Sequence, residues 1–254
     1  MKACRSSTLC SVLVSSCGSY SDLWTPCAIL HEKNWPDCRW PIYIGSDKYA
    51  QSPTRLLLAP EGAPWSRCLN AYLSQINTPR VLLLLDDFFL RSRVPTKSIE
   101  AALKFSIAGE VDCVRLVARP APKTRASSDT VFTEIYPNEP YRISTQGAIW
   151  NVAFLQALLK LDESAWAFEQ NAPSRTPADA RIFGVHRDLL TYRHHVIERG
   201  MWFPWEAYYF GKMGIGCDFR SRRIMSPTQT VFWLIRKLLD KSGVTGVAKT
   251  VLRK

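Results

Sequence analysis

Apolar residues along the chain recur in two periods, and the switch between them outlines the elements. Short apolar runs predict strands at Ser11-Val-Leu-Val-Ser-Ser16, Pro41-Ile-Tyr-Ile-Gly45, Thr54–Ala59, Val81–Leu85 and Asp112–Ala118. Between them, helical spacing predicts helices over Asp22–Lys33, over Trp65–Ile76 with Leu69, Tyr72, Leu73 and Ile76 on one face, and over Ser98–Ala108 with Ser98 as cap. Strands alternating with helices imply an α/β fold, a mainly parallel mixed sheet flanked by helices on both faces. Further along, the Pro-, Ser- and Thr-rich stretch Arg119–Pro140 predicts a loop able to move over a ligand. Tyr141–Ser144 is expected to re-enter the sheet, Ala148–Leu159 to form a helix and Leu190–Ile197 a late strand. Ser226–Lys241 predicts a basic amphipathic helix, its apolar positions being Val231, Phe232, Trp233, Leu234, Ile235, Leu238 and Leu239.

Composition narrows the class. A chain of 254 residues with 46% hydrophobic and 22% charged residues can bury one substantial core, or one core with a small appendage. No run approaches the roughly 20 apolar residues of a membrane-spanning helix. Ser6, Ser7 and Thr8 interrupt the place where a secretion signal would have its apolar core, so a cytoplasmic protein is expected. The eight cysteines contain no CxxC pair, which favours reduced thiols over a disulfide framework or a zinc site. The net charge is +11, and most of the excess is C-terminal: Arg220–Lys254 holds nine basic residues against Asp240 alone.

The candidate chemistry centres on Asp86-Asp87, where an apolar strand ends. Open α/β sheets bind ligands at the carboxyl ends of their strands. Adjacent carboxylates repel each other, and a divalent cation shared with a diphosphate would offset that cost. The alternative is that one aspartate caps the next turn while the other is solvated.

Taken in order, Ser11–Cys17, Trp35-Pro-Asp-Cys38, Pro41–Gly45, Asp86-Asp87, Tyr141–Ser144 through Trp150, and Trp166-Ala-Phe-Glu169 resemble bacterial GT-A-type glycosyltransferases of surface-polysaccharide and lipopolysaccharide biosynthesis. The resemblance covers roughly residues 10 to 210. It implies a GT-A-like, Rossmann-like domain over residues 1–218, followed by a basic amphipathic tail over 219–254. It also implies a hexosyltransferase-like, inverting enzyme that moves a sugar from a nucleotide-diphosphate sugar to a glycan or lipid-linked glycan, as in capsule synthesis. By the same resemblance Asp86 and Asp87 match the acidic motif that holds Mn or Mg and the donor diphosphate, although the family form is often Asp-x-Asp. Ser15, Ser16, Cys17 and Asp47 match donor contacts, Gly18 standing where an acidic residue is usual, and Arg199 in Arg199-Gly-Met-Trp202 resembles a cation that neutralises the leaving diphosphate.

Glu169 resembles the catalytic base. A carboxylate beside Trp166 and Phe168, its basicity raised by those aromatics, can take the proton of an acceptor hydroxyl as the new bond forms. The plainer alternative is a surface glutamate beside two core aromatics, with Asp162 and Glu163 as nearby competitors. One of His194 and His195, which a strand would point to opposite faces, is a candidate metal ligand. The C-terminal helix can lie on an anionic membrane surface, placing the protein peripherally on the inner face of the membrane. Two other functions fit the composition: a nucleic-acid-binding module, disfavoured because the aromatics and cations do not interleave, and a catalytically silent partner of GT-A fold.

Overall fold

The computed structural model describes residues 9–124, 131–193 and 196–241. The chain divides into two compact units, Met1–His194 and His195–Lys254. In the first, β1 (Cys10–Ser15), β2 (Ile42–Ser46), β3 (Arg55–Leu58) and β4 (Arg80–Leu85) alternate with α1 (Trp24–Asn34) and α2 (Trp65–Leu73). A short β5 (Phe89–Leu90), α3 (Thr96–Ala108), β6 (Cys113–Arg115), β7 (Phe132–Glu134) and β8 (Ala148–Asn151) follow. The unit closes with α4 (Val152–Leu158), α5 (Ala165–Arg175), β9 (Ile182–Val185) and β10 (Tyr192–Arg193).

Eight strands form one sheet in the order β3-β2-β1-β4-β8-β6-β9-β7. The first four are parallel to one another, β8 enters antiparallel between β4 and β6, β9 is parallel to β6, and β7 closes the edge antiparallel to β9. Four pairings are therefore parallel and three antiparallel, a mixed sheet of Rossmann-like character in its first half. Side chains alternate across the strands. Leu13, Val81 and Leu83 pack with Leu69 and Tyr72 of α2, Leu155 of α4 and Phe168 of α5. The opposite face meets α1 and α3, where the Arg80 guanidinium reaches the Ser106 hydroxyl at 2.9 Å and its carbonyl at 3.0 Å.

The second unit holds a hairpin of β11 (Ile197–Glu198) and β12 (Met201–Trp202), then α6 (Pro204–Met213) and α7 (Pro227–Lys241). Met201, Phe203 and Met225 make a small core, and Trp233 of α7 packs on it with its ring 4.8 Å from that of Phe203.

Several predicted elements differ. The re-entering strand is Ala148–Asn151 rather than Tyr141–Ser144, and the helix expected from Ala148 begins only at Val152, where Asn151 caps it by accepting from the amides of Ala153 and Phe154. Buried arginines hold the preceding segment out of the sheet: Arg115 donates to the carbonyls of Tyr141 and Pro120, and Arg142 to those of Ile135 and Ala180. The predicted loop 119–140 contains β7, and its residues 125–130 lie outside the described residues. The late strand is two short pieces, β10 and β11. Residues 1–8 and 242–254, including much of the basic tail, also lie outside the described residues.

Candidate active site

Because β1 and β4 are parallel with Ser15 opposite Leu85, their chains leave the sheet side by side and bring Ser16 to Asp86. The Ser16 hydroxyl donates to Asp86 Oδ2 at 2.5 Å and accepts from Trp24 Nε1 at 2.8 Å. Asp86 is only 8% exposed, so part of the compensation expected from a cation is supplied by this hydroxyl. The neighbouring Ser15 hydroxyl is buried with no hydrogen-bond partner.

Asp47, one residue past β2, ties three loops together. Its carboxylate accepts from the amides of Gly18 at 2.7 Å and Gly62 at 3.1 Å. Partial burial works to raise its pKa, but those two amides and the Lys48 charge outweigh it and hold the carboxyl below the ordinary range. Gly18 is required here: a Cβ would stand 2.6 Å from Cβ of Lys48, which explains why no acidic side chain occupies the position. Gly45 is required for a similar reason, since a Cβ would lie 2.3 Å from the Tyr72 ring. That ring carries a hydroxyl that donates to the Ser16 carbonyl at 3.2 Å. Between the two carboxylates, burial and then the charges of Asp86 and Asp47 push the Cys17 thiol up, keeping it protonated.

Asp86 and the half-buried Asp87 form the turn from β4 into β5, and Phe88 stacks on Tyr192 at 4.4 Å. The Tyr192 hydroxyl donates to Gln146 Oε1 at 2.7 Å and accepts from the amide of Gly147 at 3.1 Å. Residues 144–147 lead into β8, whose Ala148 pairs with Leu83, so this segment runs beside the carboxyl end of β4. It also holds Glu169. Oε1 of Glu169 accepts from the Ser144 hydroxyl at 2.9 Å, the Thr145 amide at 2.6 Å and the Thr145 hydroxyl at 3.0 Å. The expected apolar pocket around this carboxylate is absent, because Trp166 is 72% exposed and Phe168 turns into the core against Trp65. Three donors orient it instead. Of its predicted competitors, Glu163 is buried in a bidentate pair with Arg175, and Asp162 is exposed.

The strand-end geometry thus gathers Ser15, Ser16, Cys17, Asp47, Asp86 and Asp87 at one edge of the sheet and brings the anchor of Glu169 to the same edge. Arg199 belongs to the second unit, exposed in the β11–β12 turn with φ 51°. His194 and His195 lie outside the described residues. Among the described residues no group of three His, Cys, Asp or Glu side chains is placed to hold a metal. Asp86 and Asp87 supply two hard oxygen donors, a number that suits Mg or Mn when phosphate oxygens and water complete the shell. Neither of the two described cavities is lined by these aspartates. Sequence reasoning missed Trp24, Tyr72, Ser144, Thr145 and Tyr192. For Tyr72 a signal existed, a glycine inside the strand at Gly45, which marks close approach of another group.

No family model matches the chain, and no curated protein matches it. Solved structures with a similar course include S. aureus TarS 1-349, with 12% identity and a TM-score of 0.46 over 70% of this chain and 60% of that one, so the chain spans less than two thirds of it. Glucosyl-3-phosphoglycerate synthase from Mycobacterium tuberculosis, solved with Mn2+ and uridine-diphosphate-glucose, is similar at 12% identity and a TM-score of 0.44, over 89% of this chain and 83% of that one. So is 2-C-methyl-D-erythritol 4-phosphate cytidylyltransferase from Thermus thermophilus, at 17% identity and 0.44, over 73% and 92%.

Proposed function

We propose that this chain is a glycosyltransferase that moves a sugar from a nucleotide-diphosphate sugar to a hydroxyl of a glycan or lipid-linked glycan. The observation that supports it most is the convergence of Asp47, Asp86, Asp87 and the Glu169 anchor at the carboxyl end of β1, β2 and β4. That edge is where open α/β sheets bind nucleotides. The loop Ser15–Cys17 and the rim around Asp47 take the nucleoside, and Asp86 and Asp87 hold the diphosphate end of the donor. A divalent cation, when bound by those two carboxylates, supplies neutralisation of the diphosphate charge.

Glu169 acts as base. With Oε1 held by Ser144 and Thr145, Oε2 of Glu169 takes the proton of the acceptor hydroxyl while the hydroxyl oxygen of the acceptor bonds to the sugar's anomeric carbon. The bond from that carbon to the diphosphate breaks, and a single displacement inverts the configuration. The test is donor hydrolysis or transfer by purified protein across a panel of nucleotide sugars with Mn or Mg. Full activity in both Asp86→Ala and Glu169→Gln would remove the assignment.

The second unit supports an acceptor at an anionic membrane surface. Val231, Phe232, Ile235 and Leu238 are exposed along one side of α7, with Arg236 exposed beside them and Lys237 stacked 4.4 Å over Trp233. Trp233 itself packs inward, so the apolar stripe is narrower than the sequence implied. No described helix is long and apolar enough to cross a membrane. Co-sedimentation with vesicles of anionic lipid, lost in Phe232→Ser/Leu238→Ser and absent with neutral vesicles, is the expected result; equal binding by the double variant would exclude this surface.

A further inference from the structure

Tyr192 stands between the two ends of the proposed site. It opens β10, which pairs antiparallel with β5 so that Tyr192 lies opposite Leu90, and the Arg91 amide donates to the Thr191 carbonyl at 2.8 Å. β5 begins two residues after Asp87, and the Tyr192 ring stacks on the intervening Phe88 with the ring planes 8° apart. Backbone pairing and ring stacking together fix this side chain to the turn that carries Asp86 and Asp87.

The hydroxyl of the same residue is fixed to the segment that holds Glu169. It accepts from the Gly147 amide at 3.1 Å and donates to Gln146 Oε1 at 2.7 Å. The Gln146 amide in turn donates to the Ser144 hydroxyl at 3.2 Å, and that hydroxyl donates to Glu169 Oε1 at 2.9 Å. One hydrogen-bonded series therefore runs from the aspartate turn to the carboxylate. Packing leaves this segment little room to shift: a Cβ on Gly147 would stand 3.0 Å from the Leu190 side chain, 3.2 Å from that of Leu84 and 3.5 Å from the Tyr192 ring. Tyr192 is 4% exposed. Burial, with the charges of Asp188 and Asp87 adding to it, pushes the phenol's pKa up against the opposing effect of the Gly147 amide, so the hydroxyl keeps its proton for Gln146.

Phenylalanine would stack on Phe88 equally well, so packing alone does not call for the hydroxyl. A buried hydroxyl that spends its proton and a lone pair on consecutive residues of one segment sets where that segment lies. We infer that Tyr192 is a positioning residue of the proposed transfer: its ring grips the turn of Asp86 and Asp87, its hydroxyl sets residues 144–147, and it thereby fixes Glu169 relative to the donor end. This rests on Glu169 as base and on the two aspartates as the diphosphate holders.

The test has two arms on the full chain. In hydrogen exchange without ligand, Tyr192→Phe should speed the Gly147 amide and, through the series, the Thr145 amide that Glu169 accepts from, each about tenfold, with the amides of β1 and β4 unchanged. Faster exchange at Gly147 alone, or at neither amide, would overturn the link. The second arm is a double-mutant cycle of Tyr192→Phe and Glu169→Gln, read as kcat and donor KM with uridine-diphosphate-glucose and Mn or whichever panel member is turned over. Tyr192→Phe should lower kcat about tenfold at unchanged donor KM in the parent and less than twofold in Glu169→Gln. Equal falls in both backgrounds would overturn the assignment. Full activity in Glu169→Gln would instead remove the base reading and this assignment with it. Tyr192→Leu, which also loses the stack on Phe88, should raise donor KM about threefold, and an unchanged KM in the folded variant would overturn the grip on the aspartate turn; where it does not fold, Tyr192→Phe decides alone.

Discussion

The two halves of the large sheet solve the same problem, placing a carboxylate at a strand edge, by different means. In the parallel half, β1, β2 and β4 end side by side, so Asp47 and Asp86 are positioned by strand register and held by groups from adjacent strand ends: the Gly18 amide and the Ser16 hydroxyl. In the antiparallel half, Glu169 rides on a helix and reaches the edge only because the segment before β8 supplies Ser144 and Thr145 to hold it. Parallel strands deliver polar ends collectively, whereas a helix-borne group depends on one loop.

That contrast can be broken from either side. The largest effect is expected from Asp86→Ala, which removes a buried carboxylate from the proposed donor end and should lower transfer about 10³-fold with the fold retained, measured by steady-state kinetics beside circular dichroism. Glu169→Gln should lower kcat about 10²-fold with little change in donor KM. Thr145→Val, which keeps the amide donor but removes one hydroxyl, should lower it less, and rates equal to the unaltered chain in both would detach Glu169 from the chemistry.

Stability changes come next. Gly45→Ala forces a methyl into the Tyr72 ring and should cost roughly 2–3 kcal/mol by urea unfolding, with the parallel half yielding first in hydrogen exchange. Arg175→Met breaks the bidentate pair that ties α5 to Glu163 in the preceding loop and should cost roughly 1–2 kcal/mol at pH 7, less than for a fully buried pair because Arg175 is partly exposed. Hydrogen bonds and charge from Arg175 hold the Glu163 carboxyl below its usual range. Its stabilisation is therefore complete above the unfolded value of about 4.3 and is lost as pH falls through the folded value, so the gap between variant and parent should shrink in acid.

Much of the parallel half was legible in the sequence. Three apolar runs ending in polar residues, at Ser15-Ser16, Ser46-Asp47 and Asp86-Asp87, are local patterns, and a strand buried on both faces must be apolar throughout and turn polar where it emerges. Beyond Asp112 legibility fell. Tyr141–Ser144 has strand composition, yet buried Arg115 and Arg142 claim the carbonyls around it, and arginines 26 and 38 residues from their acceptors leave no local trace. The Ala148–Leu159 run is apolar in both its strand and its helix, so periodicity alone could not find the break at Asn151.

What the residues determined by themselves is the alternation of elements, the strand-end aspartates and the amphipathic α7, because each is a short-range consequence of period, charge and capping. Tertiary structure alone decided which polar groups meet: Ser16 with Asp86 across 70 residues, Thr145 with Glu169, and Trp166 turned outward. Those outcomes depend on register and packing between distant segments, where the cost of a buried, unmatched polar atom is settled only once every neighbour is in place.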